Sequence, residues 1–174
     1  MKLQRQPETT TRIVKFLRES NAIEDVWDAD SLQQAIYAWE YCISEPFLTP
    51  AVIRKTHKIL MLHQPLQPDE KGYFRSVGVY IGNRVGKPPY VVPELINQWC
   101  VNARDIIVNG KNEFPRFLKS IIQEHHVQYE IIHPFIDGNG RTGRIFMNWE
   151  RIKLGFPVLI IKESEKQEYY LWFS

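Results

Sequence analysis

Apolar residues recur three and four positions apart along most of this chain, which is the spacing that places them on one face of an α-helix. The helices predicted from this pattern cover residues 9–17, 30–43, 50–62, 92–108, 114–131, 139–154 and 164–171. Two helix starts carry capping signals: Asp30 or Ser31 is a candidate N-cap, and Thr49-Pro50 combines a capping residue with proline in the first turn. The chain is therefore predicted to be mainly α-helical.

The helix predicted over 114–131 carries an apolar stripe that includes a histidine. Its members are Phe117, Ile121, Ile122, His125, Tyr129 and Ile132. Such a helix is predicted to be central and buried, with His125 as a hydrogen-bonded core residue rather than a catalyst. It ends just before His133, close to the start of the next predicted helix at residue 139. His57 and His63 lie six positions apart and so face different directions on their helix, which favours structural roles.

The helical pattern is interrupted over residues 72–86. This segment is rich in β-forming residues and is broken by glycine, with turn signals at Gly82-Asn83 and Val85-Gly86. It predicts an irregular β-hairpin, which we call the flap (residues 72–86).

Length and charge exclude several classes of protein. At 174 residues the chain is predicted to be one domain over 1–174. The formal charge of +2 and the lack of a dense basic cluster argue against a nucleic-acid-binding protein. Residues 1–7 lack the apolar core of a signal peptide, and no stretch approaches the roughly 20 apolar residues of a membrane span. A cytoplasmic protein is expected, with Cys42 and Cys100 as buried thiols rather than metal ligands.

Residues 133–144, HPFIDGNGRTGR, combine several chemical groups in a short stretch. His133 has an imidazole that titrates near working pH, and the Asp137 carboxylate suits a hard cation such as Mg²⁺. A Gly-Asn-Gly turn at a helix start exposes backbone N–H groups to an anion, and two arginines three positions apart share a helix face. These are the parts needed for phosphoryl or nucleotidyl transfer. The simpler alternative is a polar turn capped by Asp137, which needs one of these groups rather than all.

The same stretch matches the pattern H-P-F-x-[D/E]-G-N-G-R-x-x-R and therefore resembles the signature of Fic domains. The residues 72–75 and 79–81 resemble the family's flap, and the resemblance covers residues 9–156. It implies an all-α, Fic-type helical domain with a small β-hairpin flap. It also implies a protein adenylyltransferase, which transfers AMP from ATP to a Ser, Thr or Tyr hydroxyl of a target protein with Mg²⁺.

The resemblance implies a role for each position of the motif. His133 would be the general base and Asp137 would hold Mg²⁺ between the α- and β-phosphates. Gly138, Asn139 and Gly140 would form the anion hole, while Arg141 would contact the β-phosphate and Arg144 the γ-phosphate. The flap would pair with an extended target segment through residues Arg75, Ser76, Val77, Gly78, Val79, Tyr80 and Ile81.

The N-terminal segment, residues 1–28, carries a second resemblance. Ser20 and Glu24 match the inhibitory motif [S/T]-x-x-x-E-[G/N] of many Fic proteins, which implies that Glu24 pairs with Arg144 and takes the place of the γ-phosphate. Asp25 departs from the motif, because glycine or asparagine is expected there. The alternative is an ordinary helix cap at Ser20.

Two alternatives to AMP transfer remain, and the packing of the chain end is also open. The same scaffold transfers UMP, phosphate or phosphocholine in some Fic-like proteins, or removes AMP, although Gly140 replaces the lysine of kinase-like Doc proteins. A second class of function is a nucleotide-sensing module with little catalysis, which would not need His133. The aromatic stretch that ends the chain, residues 169–174, is expected to pack back onto the domain, to form a homodimer contact, or to mark a chain cut short.

Overall fold

The computed structural model describes residues 7–110 and 113–173, which form seven α-helices and one two-stranded sheet. The helices are α1 (Pro7–Ile23), α2 (Ala29–Ser44), α3 (Pro50–Leu60), α4 (Val92–Asn109), α5 (Pro115–Ile132), α6 (Asn139–Lys153) and α7 (Lys166–Tyr170). The strands are β1 (Tyr80–Ile81) and β2 (Arg84–Val85), and short 3₁₀ turns cover Pro89–Val91, Glu163–Glu165 and Leu171–Phe173. The predicted all-α class with a small hairpin is confirmed.

Some sequence predictions fall partly outside the described residues. Residues 1–6, which belong to the segment without a signal-peptide core, and Ser174 at the aromatic end are not described. The prediction of one domain over 1–174 therefore stays a prediction. Within the described ranges, no helix has both the length and the apolar character needed to pass through a bilayer.

Capping residues set two of the helix starts. Asp28 Oδ1 accepts a hydrogen bond from the Ser31 N–H at 2.7 Å, so α2 begins at Ala29 and the predicted N-cap at Asp30 or Ser31 was wrong by two or three residues. Thr49 Oγ1 accepts from the Val52 N–H at 3.2 Å, and the predicted cap of α3 is confirmed. Helix α1 extends past the predicted end at residue 17 because the polar Ser20 and Asn21 are helical and buried.

The core surrounds α6, which is buried along nearly its whole length. Phe146 and Trp149 of α6 are fully buried, as are Phe16 of α1 and Trp39 of α2, whose rings meet edge-to-face at 5.7 Å. Cys42 and Cys100 are buried free thiols, and burial raises the pKa of Cys100 to about 12. Because α6 begins with the motif residues, this packing fixes their position from beneath.

Helix α5 lies against α4 and α6 and has a buried histidine, as its stripe predicts. His125 Nδ1 lies 2.6 Å from Glu150 Oε1, and its ring stacks on Trp99 at 4.2 Å. His125 is therefore a hydrogen-bonded core residue, as predicted. Phe117 was predicted in the buried stripe but is 65% exposed, because it lies in the first turn of α5 beyond the helices that cover the rest of the stripe.

The flap has less β-structure than predicted. Only Tyr80 with Val85 and Ile81 with Arg84 pair across the hairpin, while residues 72–79 form a turn, bends and irregular backbone. The strand-like composition of 73–79 therefore does not reflect pairing. The side chain of Arg75, which sequence reasoning assigned to target docking, is 3% exposed and points into the domain.

Candidate active site

His133 lies at the C-terminal end of α5, in the left-handed backbone conformation with φ 50° and ψ 64°. Its N–H donates to the Tyr129 carbonyl at 3.0 Å, which ends the helix and turns the chain toward the motif loop. Its Nδ1 lies 3.3 Å from the Glu130 carbonyl. A carbonyl only accepts, so the hydrogen sits on Nδ1, and Nε2 keeps a lone pair. The backbone therefore presents His133 as a neutral base.

Burial lowers the pKa of His133 below its ordinary value of 6.5, and the nearby positive charge of Arg75 acts in the same direction. The hydrogen bond to the Glu130 carbonyl opposes both effects. The imidazole is therefore mostly neutral at neutral pH, which is the state that accepts a proton.

The loop between α5 and α6 rests on His57 of α3. The His57 ring stacks on Phe135 at 3.7 Å, and its Nε2 donates to the Asp137 carbonyl at 2.9 Å. Its Nδ1 accepts from the Gly72 N–H at 2.9 Å. Burial lowers the pKa of His57 to about 4, so the ring stays neutral. The structural role predicted for His57 is confirmed, although no spacing in the sequence indicated that it would support the motif loop.

Asn139 closes the loop through its side chain. Its Oδ1 accepts from the Phe135 N–H, and its Nδ2 donates to the Phe135 carbonyl, both at 2.9 Å. The side chain is therefore used inside the loop. Only its backbone N–H remains for the predicted anion hole.

Asn139→Ala is expected to lower the free energy of unfolding by about 2–6 kcal/mol, since it leaves two buried backbone groups unpaired at about 1–3 kcal/mol each. Urea unfolding followed by circular dichroism measures this. The matched control is Asn102→Ala, because Asn102 makes an exposed side-chain hydrogen bond at 3.0 Å and should change stability by less than about 0.5 kcal/mol. Equal effects of the two substitutions would contradict the loop-closing role.

Helix α6 begins with free N–H groups where an anion would bind. Gly138, the N-cap, has φ 77°, and a Cβ at this position would lie 2.6 Å from the Met61 sulfur. The first N–H groups of any helix lack intrahelical acceptors and carry partial positive charge. This end of α6 therefore has the backbone geometry of a phosphate site.

Asp137 is the only predicted metal ligand. Its side chain is 56% exposed; Oδ1 accepts from the Gly138 N–H at 2.6 Å, and Oδ2 lies 3.4 Å from Arg141 Nη2. In the described residues no cluster of three or more His, Cys, Asp or Glu side chains is placed to hold a metal ion. One exposed carboxylate beside an anion site fits Mg²⁺, which commonly binds through one or two carboxylates and substrate phosphates.

The second arginine of the motif, Arg144, is 1% exposed and is held by α1. Its Nη2 donates to Glu24 Oε1 at 2.7 Å and to the Ser20 carbonyl at 2.9 Å. Its Nε donates to Ser20 Oγ at 2.9 Å, and Nη1 lies 3.3 Å from the Tyr169 hydroxyl. The predicted pairing partners therefore meet, although 120 residues separate them.

Gly140 faces this pair. A Cβ at position 140 would overlap Glu24 Oε1 and would lie 3.0 Å from Arg144 Nη1. A larger residue therefore does not fit while Glu24 keeps this position. The geometry gives a physical reason for glycine at the position where kinase-like Doc proteins have lysine.

A cavity of about 700 Å³ joins these groups. It lies between the start of α6, the end of α5, the flap and the C-terminal aromatic residues. Its lining comprises Glu24, Glu130, Ile131, His133, Gly140, Arg144, flap and following residues 81–87, Tyr169, Tyr170 and Phe173. The volume is in the range of pockets that bind nucleotide-sized ligands. Asp137 and Arg141 are not among the lining residues.

Comparison with known proteins decides the family. The sequence profile described as the Fic/DOC family matches residues 47–150, which include the motif and the flap. The chain belongs to the Fic/DOC family. The solved structure of a Fic domain containing signaling protein from Bacteroides thetaiotaomicron superimposes with a TM-score of 0.76, at 20% identity, over 97% of this chain and 76% of that one. The fold of this Fic domain is therefore that of its family.

Two relatives carry names that state an activity. Protein adenylyltransferase Fic from Aedes aegypti is 32% identical over 71% of this chain and 23% of its own length. A probable protein adenylyltransferase from Aquifex aeolicus is 40% identical over 55% of this chain and 28% of its own length. This Fic domain thus spans about a quarter of the length of those relatives.

Sequence reasoning missed several lining residues of the Fic cavity, among them the polar Tyr169 and Glu130. Tyr169 contacts Arg144, and its hydroxyl lies 2.8 Å from His126 Nε2; it was seen only as part of an aromatic end. That end packs back onto α5, and the homodimer contact stays a prediction. Glu130 lines the cavity one turn before His133, and burial raises its pKa to about 8. In the sequence Glu130 is one polar residue near another, Gln128, and its spacing carries no functional signal.

Proposed function

We propose that this chain transfers AMP from ATP to a hydroxyl side chain of a target protein. The observation that carries the proposal is the meeting, in one cavity, of a neutral imidazole and the guanidinium of Arg144 at the anion-binding start of α6. The names of the adenylyltransferase relatives support the same activity.

The transfer follows from the position of His133. The base would accept the proton of the target Ser, Thr or Tyr hydroxyl at Nε2 as the oxygen forms a bond to the α-phosphorus. The bond from the α-phosphorus to the bridging oxygen would break, and pyrophosphate would leave. The N–H groups at the start of α6, with Gly138, Asn139 and Gly140, would stabilise the negative charge on the phosphates.

Two charged side chains complete the proposed phosphate site: Asp137 lies just before the N-cap of α6, and Arg141 lies in the first turn of this helix. Arg141 would contact the β-phosphate, and Asp137 would hold Mg²⁺. The ion, when bound, would neutralise charge on the phosphate oxygens. The 3.4 Å separation of Asp137 and Arg141 keeps the two groups next to each other at the helix start.

The flap would hold the target. Tyr80 and Val85 form one cross-strand pair and are 75% and 76% exposed. A two-stranded ribbon leaves backbone groups on its outer edges for an added strand. An extended target segment paired with residues 75–81 would bring its hydroxyl to the cavity that His133 lines.

Glu24 would restrain this activity. Its carboxylate occupies the guanidinium of Arg144 that the γ-phosphate would need, and it lines the cavity beside Gly140. Because the carboxylate is negative, it would also disfavour a triphosphate at that end. ATP would then bind with its α-phosphate away from the attacking hydroxyl.

The acid limb of the pH profile should have its midpoint below pH 6.5. The base works in its neutral form, and burial lowers the pKa of His133 below 6.5, so the neutral form persists to a lower pH than for a free histidine. The dependence of kcat/KM on pH, which reports groups of the free enzyme, measures the midpoint. A midpoint above 6.5 would contradict His133 as a buried neutral base.

ATP labelled separately at the α- and γ-phosphates tests the proposed reaction. Transfer of AMP places the α-label, but not the γ-label, on protein; transfer of the γ-label alone would indicate a kinase instead. Labelled UTP tests transfer of UMP, and labelled CDP-choline tests transfer of phosphocholine. Release of AMP from previously modified protein tests removal, for which Glu24 could orient a water. ATP binding without label on any protein would favour the sensing module.

A further inference from the structure

Arg75 is a buried arginine that contacts three separate segments. Its Nε donates to the His133 carbonyl at 2.7 Å, and its Nη2 reaches the Ile132 carbonyl at 3.3 Å. Nη1 donates to the Val77 carbonyl at 2.9 Å, and Nη2 also donates to the Lys87 carbonyl at 2.7 Å. One guanidinium therefore joins the end of α5 to both ends of the flap hairpin.

The backbone of Arg75 adds a fifth bond, because its N–H donates to the Pro134 carbonyl at 2.9 Å. No ion pair of the described residues includes Arg75, although its side chain is 3% exposed. The carbonyls at a helix C-terminus lack intrahelical partners and carry partial negative charge. These helix carbonyls and the flap carbonyls surround the Arg75 guanidinium where a carboxylate would otherwise be expected. The positive charge is therefore stabilised by fixed backbone dipoles.

We propose that Arg75 is a positioning residue that couples the flap to His133, so that a target held by the flap is held at a fixed distance from the base. This inference rests on the proposed transfer reaction. It replaces the expectation that the Arg75 side chain docks the target, because the guanidinium faces inward.

The backbone of His133 shows why such a residue is needed. A non-glycine residue at φ 50° is in a sparsely populated conformation that persists only when its surroundings enforce it. The Tyr129 carbonyl holds the N–H of His133, and Arg75 holds its C=O. Loss of the second contact would let the peptide rotate and would move the imidazole.

The flap depends on the same group. Next to the paired strands, the Gly86 N–H donates to the Val79 carbonyl at 2.8 Å. Beyond this bond, away from the hairpin turn, the two arms of the hairpin separate. Arg75 bridges them there, at Val77 and Lys87. With only two paired residues on each strand, the hairpin has little internal support. Its orientation therefore follows the guanidinium.

Arg75→Lys separates positioning from charge. Lysine keeps the positive charge near His133, but its single ammonium lacks the planar fork that contacts four carbonyls. The matched control is Arg151→Lys. Arg151 is buried and donates to one carbonyl, that of Pro157, at 3.0 Å, and it lies outside the flap and the cavity. Arg75→Gln is the second variant, in case Arg75→Lys folds poorly, and circular dichroism gives the folded fraction of each.

The experiment has two readouts on the full chain carrying Glu24→Gly. The first is the rate of self-modification with saturating α-labelled ATP, per folded protein, together with the KM for ATP. A displaced base is expected to lower the rate about 10²-fold and to change the KM for ATP less than about twofold, since the N–H groups of α6 are untouched. The second is hydrogen exchange, which should quicken together at residues 76–87 and at 133–135 in Arg75→Lys but not in Arg151→Lys.

Each outcome decides the inference. If the flap exchanges faster while residues 133–135 and the rate stay unchanged, Arg75 only supports the flap and the coupling is wrong. If neither segment changes, the inference also fails. If no variant transfers AMP, the proposed function fails, but the exchange data still show whether flap and base loop move as one.

Discussion

His133→Ala is expected to lower the rate of AMP transfer by about 10²–10⁴-fold, the usual contribution of a general base. The reason is geometric: Nδ1 is used on the Glu130 carbonyl, and Nε2 is left with a lone pair at the cavity. The affinity for ATP should change little, because the phosphates would be held by α6 and Arg144. Incorporation of α-labelled ATP and calorimetric titration of ATP measure the two quantities.

The matched control is His63→Ala, since His63 is exposed and lies outside the cavity. Both substitutions are best compared in a Glu24→Gly chain, where the signal is expected to be highest. A His133→Ala protein that labels as fast as the control would remove the base from the mechanism. A protein that has lost ATP binding instead would place His133 in nucleotide recognition.

Glu24→Gly is expected to raise self-modification by about 10- to 150-fold. The substitution removes one charge-assisted hydrogen bond to Arg144, worth about 1.5–3 kcal/mol, and each 1.4 kcal/mol corresponds to about a factor of ten. The guanidinium keeps its bonds to Ser20 and Tyr169, so it stays in place for the γ-phosphate. Labelling time courses with α-labelled ATP measure the increase.

Glu19→Ala is the control for this substitution, because it removes a carboxylate from α1 away from Arg144. Alanine is used since Glu19 lies inside the helix, whereas Glu24 lies in the turn after it. Glu19 accepts a hydrogen bond from the Glu163 N–H at 2.9 Å instead. Ser20→Ala should not raise labelling, because it removes a bond that keeps Arg144 in place and leaves the Glu24 carboxylate on the guanidinium. Equal labelling by Glu24→Gly and the unmodified chain would exclude restraint by this carboxylate.

The helices were predictable because their periodicity is local, and so was the motif, whose twelve residues follow one another. Contacts between distant segments were predictable only where a resemblance supplied them, as for Glu24 and Arg144. The support of the motif loop by His57 was not, because two residues 80 positions apart carry no shared pattern. Tyr169 was missed for the same reason, since its hydroxyl matters only once α7 has folded back.

The flap shows the opposite error. Residues 73–79 have the composition of a strand. However, the side chain of Arg75 donates a hydrogen bond to a carbonyl at the end of α5, and the backbone around it is irregular rather than extended. The four hydrogen bonds of this buried side chain to backbone carbonyls outweigh the local β-propensity. The prediction for Phe117 was wrong for a similar reason. Its spacing fits the apolar stripe, but the sequence does not say whether another helix covers the first turn of α5.

The burial of α1 determines how the contact between Glu24 and Arg144 can open. Ile13, Phe16, Leu17 and Ile23 are buried, and exposing them all would cost about 6–12 kcal/mol at about 1.5–3 kcal/mol each. That approaches the whole stability of a typical domain. A rotamer change of Glu24, whose side chain is 32% exposed, forgoes one hydrogen bond. The proposed restraint would therefore be released by a rotamer change of one side chain while α1 stays in place, and a molecule that binds the Glu24 carboxylate would suffice as an activator.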